Sequence, residues 1–178
     1  MRFALLVAAL ACGLPSIPAA AALPVGARAP EIRTQGALAG RPFRFDLAAA
    51  LRRGPVVLYF YPAAFTQGCT IEANAFAEAT EEFRASGATV IGMSADDVDT
   101  LARFSAEKCA GQFAVASAGP AVVKGYDVAL PRAVQGRSVT TRTSYVIGRD
   151  GRIAYVHDDM NPADHVAQTL AAVRKLAR

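Results

Sequence analysis

Three hydrophobic rhythms divide the chain. Arg41-Pro-Phe-Arg-Phe-Asp-Leu47 alternates polar and apolar positions, as a strand with one buried face does. Pro55-Val-Val-Leu-Tyr-Phe-Tyr61 is instead a continuous apolar and aromatic run between Gly54 and Pro62, the pattern of a central strand covered on both faces. From Gly68 onward Ile71, Ala75, Phe76, Ala79 and Phe83 return at helical spacing. Glu78, Glu81 and Glu82 take the remaining face, and Gly87 ends the helix.

The same rhythms continue downstream. Thr89-Val-Ile-Gly-Met-Ser94 reads as a strand, and Asp97 to Lys108 as a second helix with Val98, Leu101 and Phe104 on one face and acidic residues in its first turn. Gln112 to Ser117 reads as a strand, followed by a short helix around Ala121 to Tyr126. Ser144-Tyr-Val-Ile-Gly148 and Ile153-Ala-Tyr-Val-His157 flank an Asp150-Gly151 pair, a hairpin signal. An amphipathic helix over Ala163 to Ala177 closes the chain. Strands and helices in this order predict one α/β layered domain, although periodicity does not reveal their order in the sheet.

The first 22 residues belong to a different class. Arg2, the apolar run Phe3 to Ala11 and then small residues and prolines through Ala22 follow the order of a secretory leader, with cleavage expected after Ala20-Ala21-Ala22. Residues 23–178 then form the exported, periplasmic domain. The apolar run is too short to cross a bilayer, no later segment approaches that length, and Cys12 lacks the context of a lipid-anchoring site. The leader carries one basic residue and no acidic one, so the formal net charge falls from +4 to +3 on its removal. The basic residues are scattered, which argues against nucleic acid as a partner.

The chemistry concentrates after the aromatic strand. Leu58-Tyr-Phe-Tyr-Pro62-Ala-Ala-Phe-Thr66-Gln-Gly-Cys69-Thr-Ile-Glu72 carries a strand through a proline turn and delivers Cys69 to a helix start. Unpaired backbone N–H groups and the positive end of the helix dipole favour a thiolate there. Thr66 offers a hydroxyl at the same mouth, and Pro62 walls one side without needing a backbone donor. Glu72, one turn on, would oppose the thiolate by like-charge repulsion unless a cation holds it; the alternative is that it simply favours its helix N-terminus.

The spacing Pro62-x-x-x-Thr66-x-x-Cys69 resembles the active-site signature of the peroxiredoxins, and Phe-Thr-x-Gly-Cys-Thr-x-Glu resembles the PrxQ, or bacterioferritin-comigratory, branch. The resemblance extends from Val25-Gly-Ala-Arg-Ala-Pro30 to the C-terminus. It implies a thioredoxin-like fold, a central mixed sheet flanked by helices. It also implies a thiol-dependent peroxidase in which Cys69 attacks hydrogen peroxide or a small organic hydroperoxide, with Thr66 and Arg142 orienting the peroxide. Arg142, in Thr140-Thr-Arg-Thr-Ser-Tyr145, stands where the family places its arginine before the hairpin strand, and Glu72 would pair with it. Arg137, Arg149 and Arg152 read as surface residues.

Many PrxQ-like proteins place a resolving cysteine five residues after the first, where this chain has Asn74. The resemblance therefore implies Cys109, the other cysteine after the leader, as the partner in an intramolecular disulfide. A buried structural thiol with a one-cysteine mechanism is the alternative. A thioredoxin-like or other dithiol protein would be the reductant, and the chain is read as a monomer or weak homodimer with no cofactor and no metal. His157 and His165 lack ligand-spaced companions and read as polar surface residues. A disulfide reductase would need Cys-x-x-Cys, excluded by Glu72, and a copper chaperone of this fold would want cysteine at Ala73. A non-catalytic binding module is the remaining alternative.

Overall fold

The computed structural model describes residues 22–134 and 136–177; the leader and Cys12 lie outside the described residues, Ala22 excepted. In chain order the elements are β1 Arg33–Leu38, β2 Arg41–Asp46, α1 Leu47–Leu51, β3 Val56–Phe60, α2 Gln67–Glu78, α3 Thr80–Ala85, β4 Thr89–Ser94, α4 Val98–Glu107, β5 Ala114–Ser117, α5 Pro120–Gly125, β6 Thr143–Ile147, β7 Ile153–Asp158 and α6 His165–Leu176. The strands form one mixed sheet of order β2-β1-β5-β4-β3-β6-β7. Its centre, β3 with β4 and β4 with β5, is parallel, and the outer pairs are antiparallel.

The aromatic run becomes β3 because both faces of the sheet are covered. Val56, Leu58 and Phe60 point into one apolar layer, shared with α1 and with the segment from Ala22 to Ile32. Val57, Tyr59 and Tyr61 point into the other, beneath α2, α3, α4 and α6. Cys69 and Cys109 both lie in this second layer.

Two elements escape the hydrophobic pattern. β1 (RTQGAL) is too polar to read as a strand, yet it pairs with β2 on one side and β5 on the other, so tertiary pairing overrides its composition. α1 is a five-residue turn capped by Asp46, whose carboxylate accepts from the Ala49 N–H. The helix expected from Gly68 to Gly87 is broken at Ala79. Thr80 donates its hydroxyl to the Phe76 carbonyl, a back-bond of the kind that bends helices, and α3 starts at Thr80.

Gly54, just before β3, passes so close to the end of α3 that a Cβ there would lie 2.0 Å from the Gly87 carbonyl oxygen. Gly54→Ala is therefore expected to cost about 1–3 kcal/mol through a forced backbone shift. The check is urea unfolding, with a lowered midpoint at unchanged slope.

Candidate active site

β3 ends at Phe60, and the chain turns through Pro62 to Thr66, the residue preceding α2. The first bond of α2 runs from the Thr70 N–H to the Thr66 carbonyl, leaving the N–H groups of Gln67, Gly68 and Cys69 at the helix mouth. Cys69 is its third residue and is 1% exposed. Pro62 is half-buried, and Thr66 is exposed. Thr66 turns its hydroxyl onto the Ala63 carbonyl at 3.0 Å, and among the described residues it makes no hydrogen bond to the sulfur.

This loop is held from outside the motif. The Ala64 N–H donates to Asp96 Oδ2 at 2.7 Å, and Asp96, nearly buried, also accepts from Ser94 Oγ and from Arg137 Nη2. Arg137, read from the sequence as a plain surface residue, is thus an exposed guanidinium paired with a buried carboxylate. Phe65 adopts φ 64°, the left-handed region that bulky residues avoid, and its ring packs edge-on against Phe104 of α4 at 5.3 Å. Strain of this kind persists where surrounding contacts over-determine the backbone.

Arg142 comes from just before β6, 73 residues from Cys69 in sequence, and its Nη2 stands 3.6 Å from Sγ. Thr140 ties this segment to the proline turn by donating to the Tyr61 carbonyl at 2.7 Å. Nη1 of Arg142 is paired with Glu72 Oε2, and Nε donates to the Met160 carbonyl at 3.0 Å. A Cβ on Gly68 would lie 3.2 Å from Nη2, so glycine there admits the guanidinium. Of the two readings of Glu72, the structure shows the pairing. Glu72 is fully buried, and burial pushes its carboxyl from 4.5 to about 7 despite the opposing pull of Arg142.

His165 requires a correction. It is fully buried at the start of α6, with Nδ1 2.8 Å from Ser144 Oγ, Nε2 2.8 Å from the Asp159 carbonyl oxygen, and Nδ1 3.7 Å from Glu72 Oε1. Desolvation lowers it from 6.5 to about 4, so the ring is neutral at physiological pH. A signal existed in the sequence: His165, Thr169 and Val173 recur every four residues and are all buried, the inner stripe of α6. His157 is half-buried on β7, its ring 4.5 Å from that of His165. Asp96, Ser144 and the Met160 carbonyl are further site contacts that the sequence pattern did not single out.

Cys109 follows α4 and is completely buried, its N–H donating to the Phe104 carbonyl, and desolvation pushes its thiol up to about 12. Both cysteines are free thiols. Tyr59 and Tyr61 lie in the same apolar layer as the two sulfurs, and their buried hydroxyls have no hydrogen-bond partner. Cavities of about 540 and 700 Å³ lie elsewhere and are lined by none of these residues.

Fold and site together define a thioredoxin-like domain that holds a helix-terminal thiol beside a buried guanidinium. Residues 25–156 match the AhpC/TSA family, and the chain belongs to it. It is 34% identical over 123 residues to peroxiredoxin Q, chloroplastic, of Oryza sativa subsp. japonica, a match covering 68% of this chain and 55% of that protein. It is 30% identical over 112 residues to peroxiredoxin Bcp of Escherichia coli (strain K12), covering 62% and 72%. The chain thus spans little more than half the length of the plant relatives. Peroxidoxin BcpB from Mycobacterium tuberculosis superposes with a TM-score of 0.73 at 32% identity, covering 85% of this chain and 97% of that one. Among the described residues no helix is long and apolar enough to cross a membrane.

Proposed function

We propose that this chain is a thiol-dependent peroxidase reducing hydrogen peroxide and small organic hydroperoxides. The observation that carries the reading is Cys69 Sγ at the mouth of α2 with Arg142 Nη2 3.6 Å away. The Cys69 thiolate attacks the terminal peroxide oxygen, an S–O bond forms as the O–O bond breaks, and the departing oxygen takes a proton to leave as water or alcohol. Cys69 is left as a sulfenic acid. Arg142 and the N–H groups at the helix mouth stabilise the negative charge that develops on the cleaved oxygens. Thr66 aligns the peroxide once its hydroxyl turns from Ala63, Pro62 closes one wall, and Glu72 fixes the guanidinium. Peroxide consumption by the reduced protein, far above that of free cysteine, tests the reading; no excess would leave a binding module.

Cys109 completes the cycle by condensing with the sulfenic acid, forming the S–S bond and releasing water. Both thiols are buried, and forming the bond unwinds the first turn of α2 as far as the geometry of a disulfide, with Cα atoms within about 7 Å, requires. A thioredoxin-like or other dithiol protein then reduces the bond. The full burial of Cys109 favours a second reading, a one-cysteine cycle finished by an external thiol. Peptide mapping of peroxide-treated, unreduced protein is expected to recover a Cys69–Cys109 linkage; sulfenic or sulfinic acid on Cys69 alone would establish the one-cysteine cycle. Residues 1–22 serve as an export signal, which places the enzyme in the periplasm as a monomer or weak homodimer. An oxidising compartment suits a cycling disulfide.

A further inference from the structure

β3 and β4 run parallel with Phe60 beside Met93, so the chain leaves both strands at the same end of the sheet. β3 continues into the loop that carries Thr66 to α2, and β4 continues through Ala95 to Asp96. Asp96 is 4% exposed, and both of its carboxylate oxygens are engaged. Oδ2 accepts from the Ala64 N–H at 2.7 Å and from Ser94 Oγ at 2.9 Å, and Oδ1 accepts from Arg137 Nη2 at 3.2 Å. The Asp96 carbonyl accepts from Ser117 Oγ at 2.8 Å, which ties the residue to β5 as well.

The loop that Asp96 grips is strained. Phe65, the next residue after Ala64, sits at φ 64°, a conformation that a bulky side chain leaves unless something holds it. Its exposed ring rests on Phe104, with the Arg103 guanidinium carbon 5.4 Å from the ring centroid, and these contacts fix the side chain more than the backbone. Thr66 bonds back onto Ala63 within the loop. Among the described residues, the bond from Ala64 to Asp96 is the one side-chain hydrogen bond that joins the backbone of residues 63–66 to another part of the molecule. Without it, relaxation at Phe65 turns the peptide that leads into Thr66.

We propose that Asp96 is a positioning residue of this site: by accepting the Ala64 N–H it holds Phe65 in the left-handed region and so sets the Thr66 hydroxyl for aligning the peroxide. The inference deepens the peroxidase reading and rests on it. Asp96 acts through the backbone and Thr66 rather than on the reacting atoms. Arg137 has a separate part. Its exposed guanidinium supplies the charge opposite a buried carboxylate and so bears on stability, whereas the grip on Ala64 needs only an acceptor. An asparagine at position 96 therefore keeps the loop in place while losing the ion pair.

The test is the second-order rate of hydrogen peroxide consumption by the reduced full-length protein, with a melting curve for each variant. Alkylation of Cys69 by iodoacetamide, read at the Cys69 peptide, is measured on the same samples. Asp96→Ala is expected to slow peroxide consumption by about 10²-fold, the cost of a misplacement of about 1 Å in a reacting geometry. Alkylation, which has no O–O bond to align, is expected not to slow. Asp96→Asn is expected to restore most of the rate at a lowered melting temperature, and Arg137→Gln to lower the melting temperature with a rate near wild type. Added to Thr66→Val, Asp96→Ala is expected to cost little more, because both act on one alignment. Losses that multiply in the double variant, or equal slowing of peroxide consumption and alkylation, would overturn the proposal. Should Asp96→Ala fail to fold, Ala64→Pro removes the same hydrogen bond from the donor side; a wild-type rate in either folded variant would also overturn it. Wild-type protein that consumes no peroxide sinks the peroxidase reading and the proposal together, whereas an active wild type with an unaffected variant sinks the proposal alone.

Discussion

Replacing Cys69 by serine is expected to abolish peroxide consumption, with a loss above about a thousandfold, the scale of removing an enzyme's nucleophile. Serine keeps the volume and the position at the helix mouth, but its hydroxyl stays protonated at neutral pH and cannot be oxidised to a sulfenic acid. Binding and charge stabilisation by Arg142 persist in this variant, so the measurement isolates the sulfur. Circular dichroism and a melting curve establish that the fold survives. Retained turnover would move the nucleophile to Cys109, the other cysteine among the described residues.

Arg142→Ala is expected to lower the second-order rate by about 10²–10³-fold, the usual cost of removing one preorganised donor from a developing oxyanion. The same change breaks a buried ion pair, which typically costs about 3–5 kcal/mol when the remaining charge has no escape. Glu72 has one. Burial already raises its carboxyl above 4.5 to about 7, so without Arg142 it takes up a proton more readily. A raised folded-state value contributes stability that is present below the unfolded value and lost as pH rises through the folded one. The stability loss in Arg142→Ala is therefore expected to be small at about pH 5 and large at about pH 8.5, read from urea midpoints. A rate unchanged from wild type would mean that another arginine serves the sulfur.

The parts of the site readable along the chain are those that neighbouring residues determine. Pro62, Thr66 and Cys69 are ordered by one strand, one turn and one helix start, whose periodicities change within a dozen residues. β3 is legible because a strand covered on both faces must be apolar at every position. The break at Ala79 was hidden because Thr80 acts through a backbone carbonyl rather than through the apolar pattern. β1 was hidden because its neighbours, β2 and β5, supply the pairing that its own residues do not advertise.

By itself, the sequence determined the α/β class, the family and the candidate thiol, because each depends on contacts a few residues long or on a compact motif. Only the tertiary structure decided that Arg142 reaches Glu72 and Cys69 together, that Asp96 clamps the Ala64 amide, and that His165 is sealed behind Glu72. Those partners come from separate strands and helices, and the order β4-β3-β6-β7 with α2 and α6 on one face brings them together. A histidine's chemistry follows from whether water reaches it, and that is settled by what packs over it.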